Sequence, residues 1–148
     1  HRRGHAHRRP AETGASSVRD NRGFTGVQPE EIRCTTLDLY CSRQGIRPDL
    51  IKCDVEGGEL SVVRGALATL QECQPVVFLE LLRKWSANFG YHPNEVLEIM
   101  QELRYQAWAI ESSGLHPCTE ITGDTVATNF LFTCEGKHDA LIQQLARL

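Results

Sequence analysis

Asp54 and Glu56 close a short apolar run, Leu50 to Val55, and stand immediately before Gly57 and Gly58. Two carboxylates at the mouth of a strand offer three chemistries. They can coordinate a hard cation such as Mg²⁺. One can take the proton of a substrate hydroxyl, or accept hydrogen bonds from the amine or ribose of a cofactor. The competing reading is structural, because acids beside the first turn of a helix cap its free amides and interact with its dipole. An Asp-x-Glu spacing is a weak signal, and spacing alone favours capping. Two apart on extended chain, the acids face one way. Gly57 and Gly58 permit a sharp turn and leave amides open where the next helix starts, with Glu59 in its first turn. A third acid, Glu80, ends the following apolar run, Pro75 to Leu81.

The elements that must hold these acids follow from periodicity. Residues 30–36 alternate weakly, as a strand. Residues 35–45 form a short helix, with Thr35 as N-cap, Asp38 three residues on and Gly45 as its stop. Residues 50–55 are a strand. Residues 58–73 carry Leu60, Val63, Leu67 and Leu70 at helical spacing. Residues 75–81 are continuously apolar, as in a parallel strand buried on both faces. Over 92–105 Pro93 suits the first helical position and Glu95 the helix N-terminus, while Val96, Met100 and Leu103 make a core stripe. Strands at 106–111 and 127–134 and a helix over 138–148 complete the series. Alternation of this kind predicts an α/β fold with a parallel, doubly wound sheet. The passage from 106–111 to 127–134 contains no helix, so those two strands are expected to pair antiparallel. Ligands of such sheets bind outside the carboxyl ends of the strands, where Asp54, Glu56 and Glu80 all fall.

The chain of 148 residues suffices for one domain with a core, and 41% hydrophobic with 24% charged residues is an ordinary globular composition. A net charge of −3 predicts no nucleic-acid or anionic-membrane partner. No apolar run approaches the roughly 18 residues of a membrane span, and no apolar leader is evident, so a cytoplasmic location is expected. Residues 1–28, whose first ten carry Arg2, Arg3, Arg8 and Arg9 and no acid, read as a flexible basic and polar arm ahead of a domain over 29–148. None of the six cysteines forms a CxxC pair, so buried free thiols are expected rather than disulfides or a metal site. His92 and His116 precede prolines and suit turns or caps. Trp85 and Trp108 suit the core or a pocket wall, and Ser112-Ser113-Gly114 lacks a partnered base. Two other functions stay open: a metal-dependent hydrolase or nuclease built on Asp54, Glu56 and Glu80, with Lys52 facing away from Asp54's neighbours, and an inactive remnant or interaction module with the arm as its handle.

Thr36-Leu37-Asp38, then Ile51 to Glu59, Val62 to Ala66 and Pro75 to Glu80 occur in that order. Phe89-Gly90-Tyr91, the EVLEIMQEL helix and TNFLFTC follow. This string resembles the FkbM family of S-adenosylmethionine-dependent methyltransferases, from about Thr35 to Cys134. The resemblance implies a class I, Rossmann-like methyltransferase sheet of seven strands with one antiparallel strand near an edge. The strands read above would be its fourth to seventh. It implies methyl transfer from S-adenosylmethionine to an oxygen, expected to be a hydroxyl, of a sugar or other small molecule. On that basis Asp54, Glu56 and Glu80 are the expected catalytic residues. Asp54 would be base or metal ligand, and Glu56 would position substrate or support the turn. Asp54 and Gly57 are the expected neighbours of the cofactor; a divalent metal is compatible with the acids but unsupported, and no metal ligand is assigned. Members open with a Gly-rich loop after the first strand and an acid ending the second, whereas Gly4, Gly14, Gly23 and Gly26 follow no apolar strand here. The chain is therefore expected to be a fragment, the C-terminal part of the domain without its cofactor-binding half, and not active alone. Its strand at 50–55 would then be an uncovered apolar edge, through which self-association is expected.

Overall fold

The structure, a computed structural model, describes residues 2–8, 16–17 and 28–147. In its larger sheet β5 (Val76–Glu80) pairs in parallel with β4 (Leu50–Cys53) and antiparallel with the central strand β8 (Asn129–Cys134). Beyond β8 lie β6 (Tyr105–Glu111) and β7 (Gly114–Pro117), each antiparallel to its neighbour, giving the order β4-β5-β8-β6-β7. The expected antiparallel pair of 106–111 and 127–134 is present as β6 and β8. The parallel doubly wound sheet is realised only between β4 and β5; the other three pairings are antiparallel. β8 enters between β5 and β6 in the reverse direction, so β6 runs the same way as β4 and β5 without touching them in the ladder. The polar loop expected after β6 begins instead as a hairpin, in which Ser112 and Ser113 make a two-residue turn and Gly114 takes φ +115°.

A separate antiparallel sheet joins β1 (Arg2–Arg8), β2 (Ser16–Ser17) and β3 (Gln28–Cys34) in the order β2-β1-β3. Most of the arm expected over 1–28 lies outside the described residues; the described parts, Arg2–Arg8 and Ser16–Ser17, are strands of this sheet. In the five-stranded sheet β4 is an edge strand, and Leu50 at its start is 63% exposed. Among the described residues no helix is long and apolar enough to cross a membrane. All six cysteines are free thiols, with Cys41, Cys53 and Cys134 buried.

The core lies where α5 (Asn94–Glu102) meets β5, β6 and β8. Val96, Met100, Val77, Leu79, Phe130 and Phe132 are buried there, each contributing about 1.5–3 kcal/mol of transfer free energy. The single helix expected over 58–73 is two, α2 (Glu59–Arg64) and α3 (Leu67–Cys73). The break falls at Gly65, where a Cβ would come within 3.3 Å of both Thr36 Cβ and Cγ2. The absence of a side chain there lets α1 (Leu37–Gln44) approach, and Asp38 N–H donates to Gly65 O at 3.0 Å. The break turns Leu67 outward, contrary to expectation, and buries Ala66 in its place.

α1 is capped by Thr36, whose Oγ1 accepts Leu39 N–H at 3.2 Å, rather than by Thr35. Asp38 does not return to its own helix end. It reaches across to α3 and accepts Thr69 N–H at 2.7 Å and Ala68 N–H at 3.1 Å. α3 has only Ala66 at its own N-cap, with no side-chain acceptor, so a carboxylate some thirty residues upstream does that work. Asp38→Ala is therefore expected to cost about 1–2 kcal/mol in urea unfolding, with Asp38→Asn costing less because it keeps one acceptor. An unchanged unfolding free energy for Asp38→Ala would contradict this cap.

Candidate active site

The acids meet at the carboxyl ends of the one parallel pair. Cys53 is in register with Leu79, so the next residues along, Asp54 and Glu80, leave the two strands side by side. The Glu80 carboxyl titrates above the ordinary 4.5; burial is the largest cause, followed by the charge of Asp54 and a hydrogen bond with it, then the charges of Glu56 and Glu59. Asp54, Glu56 and Glu80 are thus brought together. Lys52 pairs with Asp54, with Nζ 3.5 Å from Oδ2; the pair is largely exposed and worth little energetically.

Convergence is not achieved by extended alternation, because β4 stops at Cys53. Glu56 takes φ +54° and Gly57 φ +102°, and this left-handed passage reverses the chain into α2. The strain at Glu56 needs holding, and Glu59 supplies it. Glu59 is 2% exposed, and its Oε1 accepts Val55 N–H at 3.1 Å and Gly57 N–H at 3.2 Å. Its Oε2 accepts the hydroxyl of Tyr91 at 3.2 Å. The amides expected to stand open at the helix start are therefore occupied from within the chain. Burial, and then the Glu59 charge, drive the Tyr91 hydroxyl above its ordinary titration range, so it stays a donor.

Gly57 also has a packing role. A Cβ there would lie 2.7 Å from Trp85 O and 3.0 Å from Phe89 Cδ2. The turn rests directly on α4 (Arg83–Asn88) and on the Phe89-Gly90-Tyr91 segment that follows it. Gly90 takes φ +78°, which lets Phe89 and Tyr91 both return to the turn. Cys53, buried beneath the acids, has its thiol pushed up to about 12 by burial and by the Glu59 and Asp54 charges; it is a packing group rather than a nucleophile.

Sequence reasoning passed over Glu59 and Tyr91. A signal for Glu59 existed: residues 59, 63, 66 and 70 fall at helical spacing, and all four are buried. The remaining candidates are structural. His92 Nδ1 accepts Asn94 N–H at 3.2 Å, as a cap. Ser113, expected to lack a base, has one: His116 Nε2 is 2.8 Å from its Oγ, on the exposed hairpin at the opposite edge of the sheet. Among the described residues no group of three or more His, Cys, Asp and Glu side chains is arranged to hold a metal ion.

Among known families, a model of the methyltransferase FkbM domain matches residues 4–107. That range starts upstream of the motif string and takes in most of the segment read as an arm. No curated protein and no solved structure matches the chain.

The raised Glu80 makes a pH prediction with a definite sign. A carboxyl whose folded value lies above 4.5 stabilises the fold below that pH, and the contribution is lost as pH rises through the folded value. Glu80→Gln should therefore raise the thermal midpoint at pH 7, with the gap over the parent closing as pH falls below 4.5. A lower midpoint at pH 7 would show that the charge of Glu80 is not opposed by its neighbours.

Proposed function

The chain belongs to the methyltransferase FkbM domain family, and on that premise we propose that it contributes the acidic wall of a site for methyl transfer from S-adenosylmethionine to a hydroxyl oxygen of a sugar or other small molecule. The observation that carries this reading is the convergence of Asp54, Glu56 and Glu80 where β4 and β5 end. The topology supports a Rossmann-like, class I sheet: a parallel pair, then a reversed strand inserted before a third strand of the original direction.

The donor set suits the cofactor. Asp54 is exposed enough to accept hydrogen bonds from an ammonium or a ribose hydroxyl. The mutual repulsion felt by Glu80 marks a negative potential that favours a sulfonium cation. When bound, S-adenosylmethionine supplies an electrophilic methyl group. The chain's own part is proton handling and orientation. A neutral hydroxyl is a poor nucleophile, and Asp54 removes its proton as the oxygen–carbon bond forms. Glu80, in register beside Asp54 and hydrogen-bonded to it, fixes the orientation of the working oxygen. Glu56, set by its left-handed backbone, orients the acceptor. Gly57 serves by its small size, since its amide and the space around its Cα are already occupied.

The test is transfer from methyl-labelled S-adenosylmethionine to a panel of sugars and small hydroxyl compounds, using the full-length protein. Asp54→Asn is expected to slow transfer by about 10²-fold or more. Full activity in Asp54→Asn, or label transferred only to nitrogen or sulfur acceptors, overturns the reading.

A further inference from the structure

We infer that Glu59 and Tyr91 are positioning residues that clamp the Asp54–Gly57 turn and so set the direction of the Asp54 and Glu56 carboxylates toward Glu80. The inference rests on the reading of those acids as the working groups, but its geometry stands separately. The turn carries one left-handed non-glycine residue, Glu56 at φ +54°, a conformation that surrounding contacts must over-determine if it is to persist. The contacts that do so converge on one side chain. Glu59 Oε1 accepts the amides on both sides of Glu56, at Val55 and Gly57, and bridges the residue it constrains. A carboxylate free to rotate would not hold that geometry, and its rotation is stopped by Tyr91, whose hydroxyl donates to Oε2 from 32 residues away. Tyr91 in turn is seated by the α4–α5 connection, where Tyr91 N–H donates to Ser86 O at 3.3 Å and Ser86 is buried. On the opposite side Trp85 O blocks any drift of Gly57 toward α4.

The clamp thus ties the acids of β4 to the segment that follows β5. Burial alone does not require this arrangement: a buried carboxylate can be satisfied by any donors, whereas these flank the one strained residue. Besides the direct effect of its charge on Glu80, Glu59 acts through the turn whose amides it holds. The groups facing Glu80 are Asp54, Glu56 and Glu59, with Lys52 paired to Asp54 from the strand itself.

The test uses carboxyl-carbon NMR titration and amide hydrogen exchange on the chain, neither of which depends on turnover, so failure of the methyl-transfer reading and failure of the clamp are distinguishable. Tyr91→Phe removes one hydroxyl and keeps the ring. It is expected to lower the titration midpoint of Glu80 toward the ordinary carboxyl range and to speed exchange at Val55 and Gly57 about tenfold. Glu59→Gln is expected to shift both further in the same directions. Met100→Leu, a core substitution away from the turn, should leave both readouts at their parent values even where it lowers the melting temperature. Parent-like titration and exchange in both Tyr91→Phe and Glu59→Gln, or equal changes in Met100→Leu, would overturn the assignment.

Discussion

A single buried carboxylate holds the mouth of this sheet. Glu59 accepts two backbone amides and one phenol, and those three bonds fix the left-handed turn through which Asp54 and Glu56 leave β4. Removing the acceptor would orphan the buried Gly57 amide, at about 1–3 kcal/mol, together with the half-buried Val55 amide and Tyr91 hydroxyl. Everything proposed for the acids depends on that turn, because β4 itself ends one residue before Asp54.

Two missing side chains complete the frame. Gly57 lets the turn rest on Trp85, and Gly65 lets α1 rest against the break between α2 and α3. Asp38 then caps α3 from α1. The ordered motifs of the family therefore describe one connected object. Thr36-Leu37-Asp38 meets Gly65-Ala66, the DVEGGE turn meets Phe89-Gly90-Tyr91, and the two contacts lie at opposite ends of α2. Close packing of this kind has little slack, so a displacement at α4 is transmitted to the acids.

Strand runs and the α5 stripe were legible because apolar periodicity is a local property. Pro75–Leu81 and the antiparallel pair of β6 and β8 stand where periodicity places them, and so do Val96 and Met100 in the core. The grouping of Asp54, Glu56 and Glu80 was legible as a strand-end argument, though the extended geometry supposed for it was not what brings the first two together. What escaped depends on partners distant in sequence. Gly65 breaks a helix only because Thr36 comes to it. Asp38 looks like a cap for its own helix until α3 is placed beside it, and Glu59 looks like a first-turn acid until Tyr91 returns to it. Spacing encodes which face a residue occupies; it does not encode which distant donor will be waiting there.

The central claim is that the second glutamate of the turn organises the mouth while the first works from it. Unfolding free energies of Glu59→Ala and Glu56→Ala, measured in urea at pH 7, test this most directly. A loss of about 3 kcal/mol or more is expected for Glu59→Ala, from orphaned donors at and around the buried turn, and less than about 1 kcal/mol for Glu56→Ala. Equal losses, or a larger loss at Glu56, would contradict it.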